Sequence, residues 1–343
     1  MISAISAYGH QAASTRVRLH DWFSYLGIQP EVYEYVGFAD NRPGRLLRHP
    51  VDVLAAERHI RRLRTAGSTV LLSREATPFS RGEVEERLLG EADWGVFDFD
   101  DALFVDVGGS RRFSMPEVKC ARSVRAADVV VAGNDYLANW ASDHNSAVRV
   151  IPSCIDPNDY RAKSCWAIEG APRIVWLGSA STERYVADIA PALRQVCQRT
   201  GARLHVISAA RDSGALRPLQ PWTTRTPWSL GSFADELGEA DVAIAPLPDT
   251  PYARGKCAYK LLQYAAMGVP MIGSPVGANA EALSRFDGIA ATTLDEWADG
   301  LQQLLSESEA GRTNRGLTEM LSVNKHYSFE AWQDDWKRAM GPQ

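Results

Sequence analysis

The run Trp94-Gly95-Val96-Phe97-Asp98-Phe99-Asp100-Asp101 ends an apolar segment with three carboxylates in four positions. Side chains alternate faces along a strand, so Asp98 and Asp100 share one face and Asp101 takes the other. Carboxylates at a strand end have three uses. They can bond substrate hydroxyls, hold a divalent cation such as Mg²⁺, or cap the segment that follows.

Other chemistry-bearing stretches are neutral or basic. Gly178-Ser179-Ala180-Ser181-Thr182 follows an apolar run and opens a helix, where backbone N–H groups can bind a phosphate. It lacks G-x-G-x-x-G, so the dinucleotide fingerprint is absent, and a plain Ser/Thr N-cap is the other reading. Gly255-Lys256-Cys257-Ala258-Tyr259-Lys260 fails as a P-loop, because Cys257 replaces Ser/Thr and Thr250 replaces the first glycine. On a helix, Lys256 and Lys260 share a face, which either meets solvent or binds an anion. A diphosphate explains better why they stand between a strand end at 245–247 and an apolar helix. Residues 273–282 form another Gly-rich turn into a helix, with Gly277 and Asn279 in the turn. Glu281 there either meets sugar hydroxyls or favours the helix dipole. After the first strand, Ser14, Thr15, Arg16 and Arg18 offer polar groups and cations. Arg16 and Arg18 cannot both face one side of a helix. Among the histidines only His10 falls at a strand end, and none has metal-ligand spacing. The basic run 58–64 reads as a solvated helix face, with an acidic acceptor or a weak peripheral membrane contact as the other reading.

Alternating elements must position these residues. Strands are expected at 2–8, 70–74, 94–99, 129–132 and 148–152, and again at 173–178, 203–208, 241–246 and 269–274. Helical periodicity fits 15–26, 51–66, 115–126, 182–200, 256–267, 294–306 and 328–340. Apolar strands separated by helices imply parallel sheets covered on both faces. In such sheets ligands bind beyond the C-terminal strand ends, where Asn134 also falls. Two series predict two domains, with the boundary between 152 and 172 at a turn cluster, Asp156-Pro157-Asn158-Asp159.

The bulk properties agree. A chain of 343 residues makes about two domains at roughly 100–200 residues each. With 45% hydrophobic and 23% charged residues it reads as globular rather than disordered. A net charge of -5 does not suggest a nucleic-acid binder. Five cysteines without C-x-x-C spacing fit reduced thiols in a cytoplasmic protein. The N-terminal residues read as a strand rather than a signal peptide, and no stretch approaches the roughly 18 apolar residues of a membrane span.

Taken in order, STRVR at 14–18, FDFDDALF at 97–104, ADVVVAGNDYLANWA at 127–141, VIPSCIDPNDY at 150–160, IVWLGSASTERY at 174–185 and the long block at 246–283 resemble bacterial glycosyltransferases of the family 4 type. The resemblance implies an α/β GT-B fold: two facing Rossmann-like, doubly wound parallel-sheet domains with a cleft between them. It implies an acceptor domain at 1–155, with the C-terminal helix 328–343 carrying Trp332 and Trp336 back onto it, and a donor domain at 156–327. The implied reaction is transfer of a hexose from a nucleotide-diphospho-sugar to a small polar acceptor with retention. The family generally needs no metal and no cofactor beyond the nucleotide-sugar co-substrate. Carried onto this chain, Asp100 and Asp101 are assigned to sugar or acceptor hydroxyls. Gly178, Ser179, Ser181, Thr182, Lys256 and Lys260 are assigned to the donor diphosphate. Gln263, Gly277, Asn279 and Glu281 are assigned to donor sugar or ribose, and His10, Ser14, Thr15, Arg16 and Asn134 to the acceptor side.

The chain departs from the family pattern. The carboxylates of the family's E-x7-E fall on Gly255 and Gln263, so both are missing. Ser179 stands near the position of a usual arginine, which leaves Lys256 and Lys260 as candidates for the phosphate charge. Natural-product tailoring and cell-envelope assembly are both open contexts. Competing functions are a nucleotide-sugar epimerase or hydrolase, and a catalytically silent nucleotide-sugar-binding partner. D-x-D-D also resembles the first motif of haloacid-dehalogenase phosphatases, although Ala102 stands where that family needs a polar residue.

Overall fold

A computed structural model describes residues 1–108, 115–210 and 213–341. Residues 342 and 343 of the expected C-terminal segment lie outside the described residues. The chain divides into two units. One holds Met1–Ile155, Thr250–Cys257 and Phe329–Gln343, and the other Asp156–Asp249 and Ala258–Ser328.

Each unit is built on a six-stranded parallel sheet. The strands are β1 (Ile2–Ser6), β2 (Glu31–Glu34), β3 (Thr69–Ser73), β4 (Trp94–Phe99), β5 (Val129–Ala132) and β6 (Val148–Val150) in the first unit. In the second they are β7 (Arg173–Leu177), β8 (Arg203–Ser208), β9 (Thr223–Pro227), β10 (Val242–Ala245), β11 (Met271–Gly273) and β12 (Ile289–Ala290). The orders are β2-β1-β3-β4-β5-β6 and β12-β11-β10-β7-β8-β9. Strand order reverses between β1 and β3 in the first sheet and between β7 and β10 in the second. Loops leaving the strands at such a reversal diverge to opposite faces and open a ligand crevice.

The first unit shows why both sheet faces are covered. Ile5, Leu72, Phe97 and Val130 point into one apolar layer. Their neighbours Ala4, Leu71, Val96 and Val129 point into a second layer with Trp22, Phe329 and Trp336. That is period-2 alternation with both phases apolar. The C-terminal helix Phe329–Ala339 closes the second layer. Trp336 stacks on Trp22 at 5.4 Å, and Trp94 Nε1 donates to the Ala339 carbonyl at 3.0 Å. In the second unit, Tyr264 ties its helix to the sheet. Its hydroxyl accepts from Leu177 N–H at 3.0 Å and donates to the Ile244 carbonyl at 3.3 Å.

All nine expected strands are present. The ones the sequence pattern does not reveal, β2, β9 and β12, are edge strands. Edges are buried on fewer sides and carry polar residues. β2 reads Glu-Val-Tyr-Glu with no buried residue, and β9 ends in Pro227.

Two helical expectations need correction. The helix expected at 182–200 is broken into Glu183–Asp188 and Ala190–Thr200, because Pro191 lacks the N–H that would continue the first piece. The helix expected at 256–267 begins only at Tyr259, after Ala258 with φ +54°. A left-handed residue cannot lie inside an α-helix, so Lys256 and Lys260 do not share a helix face. Lys256 instead follows the short helix Pro251–Arg254. The stretch Thr250–Cys257, expected with the second domain, packs with the first unit. It is tightly docked: a Cβ on Gly255 would lie 2.5 Å from the Ala102 amide nitrogen, and one on Gly133 would lie 2.4 Å from Cys257 Sγ.

Candidate active site

The first unit concentrates charge at the C-terminal ends of β1, β3 and β4. Asp98, the last inward carboxylate of β4, is consumed by structure. Arg18 Nε donates to both its oxygens at 3.1 and 3.2 Å, and Arg18 Nη2 makes a third bond to it. Arg18 Nη1 donates to the Ile151 carbonyl at 2.9 Å. Burial disfavours the guanidinium charge, but Asp98 outweighs it, and the Arg18 pKa is raised. Arg18 reaches this place from a single π-helical turn, Arg16–His20, which joins the short helices on either side. The extra residue per turn re-aims side chains. Arg16 lies apart, 3.9 Å from Asp21.

Asp100 and Asp101 meet cations from two other segments. Arg74, just past β3, has φ +68°, an unusual conformation for a side-chain-bearing residue. Its Nη2 lies 2.9 Å from Asp101 Oδ2 and its Nη1 lies 3.4 Å from Asp100 Oδ1. Nη1 also donates to Ser14 Oγ at 2.6 Å, and the guanidinium lies 5.5 Å from the Tyr8 ring centre. Lys256 Nζ donates to Asp101 Oδ1 at 2.6 Å and sits 4.8 Å from the Tyr252 ring centre. Tyr252 Oη lies 3.4 Å from Asp101 Oδ2. Burial opposes the Lys256 charge, yet Asp101 and Tyr252 raise its pKa. Burial likewise opposes the Arg74 charge, and Asp101 and Asp100 raise its pKa well above the usual arginine range.

The two carboxylates are therefore unequal. Asp101 is 6% exposed and paired with two cations, Arg74 and Lys256, which makes it an anchor for both. Asp100 has one long contact to Arg74, so its oxygens retain capacity for a further donor. Behind them the network continues. Tyr8 Oη donates to Glu75 Oε1 at 2.6 Å, and Lys119 Nζ donates to Glu75 Oε2 at 2.6 Å. Lys119 also lies 3.4 Å from Glu85.

The remaining expected acceptor-side residues divide. Ser14 joins the cluster through Arg74. Thr15 is buried and bonds Ser6 across 3.1 Å, so it holds the first loop. Asn134 caps the helix Asp135–Ser142 by accepting from Leu137 N–H. Its Nδ2 donates to the Lys256 carbonyl at 3.0 Å, which holds the segment that carries Lys256. His10 is exposed and packs edge-on against His20 at 5.9 Å.

In the second unit the strand ends at the β7/β10 reversal carry small neutral groups. Ser179 Oγ lies 3.0 Å from Ser181 Oγ and 3.2 Å from Thr182 Oγ1, and Ser179 makes no side-chain cap bond. Gly178 is required by packing, since a Cβ there would lie 2.4 Å from the Trp176 ring. Lys260 Nζ lies 4.9 Å from the centre of that same ring. Gln263 is buried, with Nε2 3.4 Å from Tyr160 Oη. Gly277, at φ +55°, starts the helix Ala278–Arg285, in which Asn279 is buried. Glu281 pairs with Arg285 at 2.6 Å and is more than half exposed.

Sequence reasoning missed Arg74, Glu75 and Lys119, while Tyr8 falls at the end of the first expected strand. The signal for Arg74 was available: an apolar strand, Thr69–Ser73, ends directly in Arg74-Glu75. Among the described residues no group of three or more His, Cys, Asp or Glu is placed to hold a metal ion. The five cysteines are free thiols. No helix among the described residues is long and apolar enough to cross a membrane.

Residues 171–307 match the family described as Glycosyl transferases group 1. No curated protein matches the chain in sequence. Among solved structures, the lipopolysaccharide-biosynthesis glycosyltransferase WaaG is similar over 100% of both chains, at 12% identity and TM-score 0.65. A UDP-forming α,α-trehalose-phosphate synthase from Burkholderia xenovorans is similar over 99% of this chain and 98% of its own, at 12% identity and TM-score 0.65. S. aureus TarM, solved with fondaparinux, α-GlcNAc-glycerol and UDP, is similar over 80% of this chain at 8% identity and TM-score 0.60. This chain spans about half, 55%, of the TarM chain. These likenesses give the fold: two parallel six-stranded α/β units of the GT-B glycosyltransferase type.

Proposed function

We propose that this GT-B chain, whose residues 171–307 match the glycosyl transferases group 1 family, transfers a hexose from a nucleotide-diphospho-sugar to a small polar acceptor with retention of configuration. The second unit takes the donor and the first takes the acceptor. The observation that carries the reading is the family match, because it spans the strand ends assigned to the donor. UDP in the TarM complex is consistent with a nucleoside diphosphate as the leaving group.

In this reading the nucleoside diphosphate departs from the anomeric carbon and the acceptor hydroxyl attacks the same face. The developing charge on the diphosphate is met by Lys260 and by backbone N–H groups at 178–182 and 277–279. Gln263, Asn279 and Glu281 meet ribose or sugar hydroxyls. Asp100 accepts a hydrogen bond from a substrate hydroxyl, while Asp101 fixes Lys256 and Arg74 around it. Cations and amide dipoles supply the charge compensation, so no metal or further cofactor is invoked.

A thermal-shift screen of UDP, GDP, dTDP and ADP with their sugars tests the donor assignment, because a ligand of the folded state raises the melting temperature. Product analysis by NMR then reads the anomeric configuration. No shift with any nucleotide contradicts the proposal.

One observation favours a second reading, a silent nucleotide-sugar-binding partner. The family's paired carboxylates are Gly255 and Gln263 here, and the packing of Gly255 on Ala102 leaves no room for a side chain. Nucleotide binding without turnover across a broad acceptor panel selects that reading.

A further inference from the structure

The helix Pro50–Arg62 packs one face on the first unit and leaves the other bare. Ile60 is buried in the core, and Ala56 and Leu63 pack against it. Tyr35 Oη bonds the Val53 carbonyl and Glu57 on the same side. The opposite stripe, Val51, Leu54, Ala55, Arg58 and Arg62, is wholly exposed. Such spacing places all five on one side of a helix.

That stripe has two halves. Its first turns are apolar: Val51 is 75% and Leu54 63% exposed, and Leu47 in the preceding turn is 79% exposed. These three lie within eight residues and are among the most exposed large hydrophobic side chains of the chain. Its last turns are basic. Residues 40–64 carry seven arginines against three carboxylates in a chain of net charge -5. Arg42, Arg45, Arg61 and Arg64 are paired. Among the described residues, Arg48, Arg58 and Arg62 make no ion pair.

An apolar tip beside unpaired arginines is matched to a surface that is anionic outside and apolar beneath. We propose that this face, Val51, Leu54, Arg58 and Arg62, with the exposed Leu47 of the preceding turn beside it in sequence, docks the chain on an anionic lipid bilayer. The arginines contact headgroup phosphates and the three apolar side chains enter the acyl boundary. Binding of this kind scales with apolar area and with charge. A soluble polyanion would engage the arginines but leave Leu47, Val51 and Leu54 in water. The proposal is independent of the donor and acceptor assignments.

Sedimentation of the full chain with vesicles tests it. The chain is expected to sediment with phosphatidylcholine–phosphatidylglycerol vesicles, to stay free with phosphatidylcholine alone, and to be released by salt. Arg58→Glu with Arg62→Glu removes the salt-sensitive part, at least about fivefold in affinity for each arginine. Val51→Asp with Leu54→Asp abolishes sedimentation. Both pairs are surface changes, and unchanged thermal melting of each variant shows that the fold persists. Equal sedimentation of either variant and the parent, no binding to anionic vesicles, or a dimer in solution that Leu54→Asp dissociates without any vesicle binding overturns the proposal.

Discussion

The two units share an architecture and differ in what they place at its functional edge. Where the first sheet reverses, between β1 and β3, the loops deliver Tyr8, Ser14 and Arg74 to the acidic end of β4. Nearly every charge there is answered by another. Where the second reverses, between β7 and β10, the loops deliver glycine, serine and threonine, with a lysine lying over Trp176. A prebuilt ionic cluster costs desolvation whether or not ligand is present, whereas neutral N–H groups wait in water at little cost. In the proposed reaction, the difference places the small polar acceptor at the first unit and the charged diphosphate at the second.

The largest expected effect breaks the first cluster. Asp98→Ala leaves the Arg18 guanidinium buried without its carboxylate and should cost about 3–5 kcal/mol. Urea unfolding reads it, and a loss near zero would mean that the pair is not structural. Next, Gly255→Ala and Gly133→Ala push a methyl into the Ala102 backbone and Cys257 Sγ, which should cost about 1–3 kcal/mol each. The docking of 250–257 on the first unit predicts both losses; a neutral effect in the same unfolding assay contradicts it.

The contrast is sharpened by two lysines that the sequence treats alike. Lys260→Ala should weaken nucleotide binding about tenfold, in line with loss of one charge-assisted bond at about 1.5–3 kcal/mol. Lys256→Ala should leave nucleotide affinity unchanged and lower turnover. Titration calorimetry with the nucleoside diphosphate that the melting screen selects separates them, and equal losses would restore the single diphosphate clamp.

Those lysines also mark the limit of what the sequence discloses. Apolar strands such as Val129–Ala132 and Trp94–Phe99 are legible because both phases of the pleat are buried. Edge strands are not, since β2 carries glutamate at each end and looks like a loop. Asp100, Asp101 and Lys256 are visible as residues, but their pairing is not, because it spans 155 positions. It also depends on one left-handed residue, Ala258, that ends helical periodicity without a glycine or proline to announce it. Arg74 was readable as a charged strand end. Its role as the bridge between two carboxylates needed the fold.

The smallest expected effect concerns the second unit away from its strand ends. Glu319 is fully buried, and both its carboxylate oxygens lack a side-chain or full hydrogen-bond partner. Burial raises its pKa well above the usual 4.5, outweighing the opposing pull of Arg315. A carboxyl that binds its proton more tightly when folded stabilises the fold at low pH. That stability is lost as pH rises from about 4.5 through the raised value. Glu319→Gln should therefore melt higher than the parent at pH 8, with the gap closing as pH falls toward 4.5. A gap that does not change with pH contradicts the assignment.

In the proposed reaction Asp100 touches substrate while Asp101 holds Arg74 and Lys256 in place. Steady-state turnover of Asp100→Asn, measured beside the melting shift induced by the nucleotide that the screen selects, separates these two roles. An unchanged nucleotide shift and turnover reduced about 10- to 100-fold are expected, the scale of one lost hydrogen bond to a charged group at about 1.5–3 kcal/mol. Full turnover in Asp100→Asn would contradict the role given to Asp100.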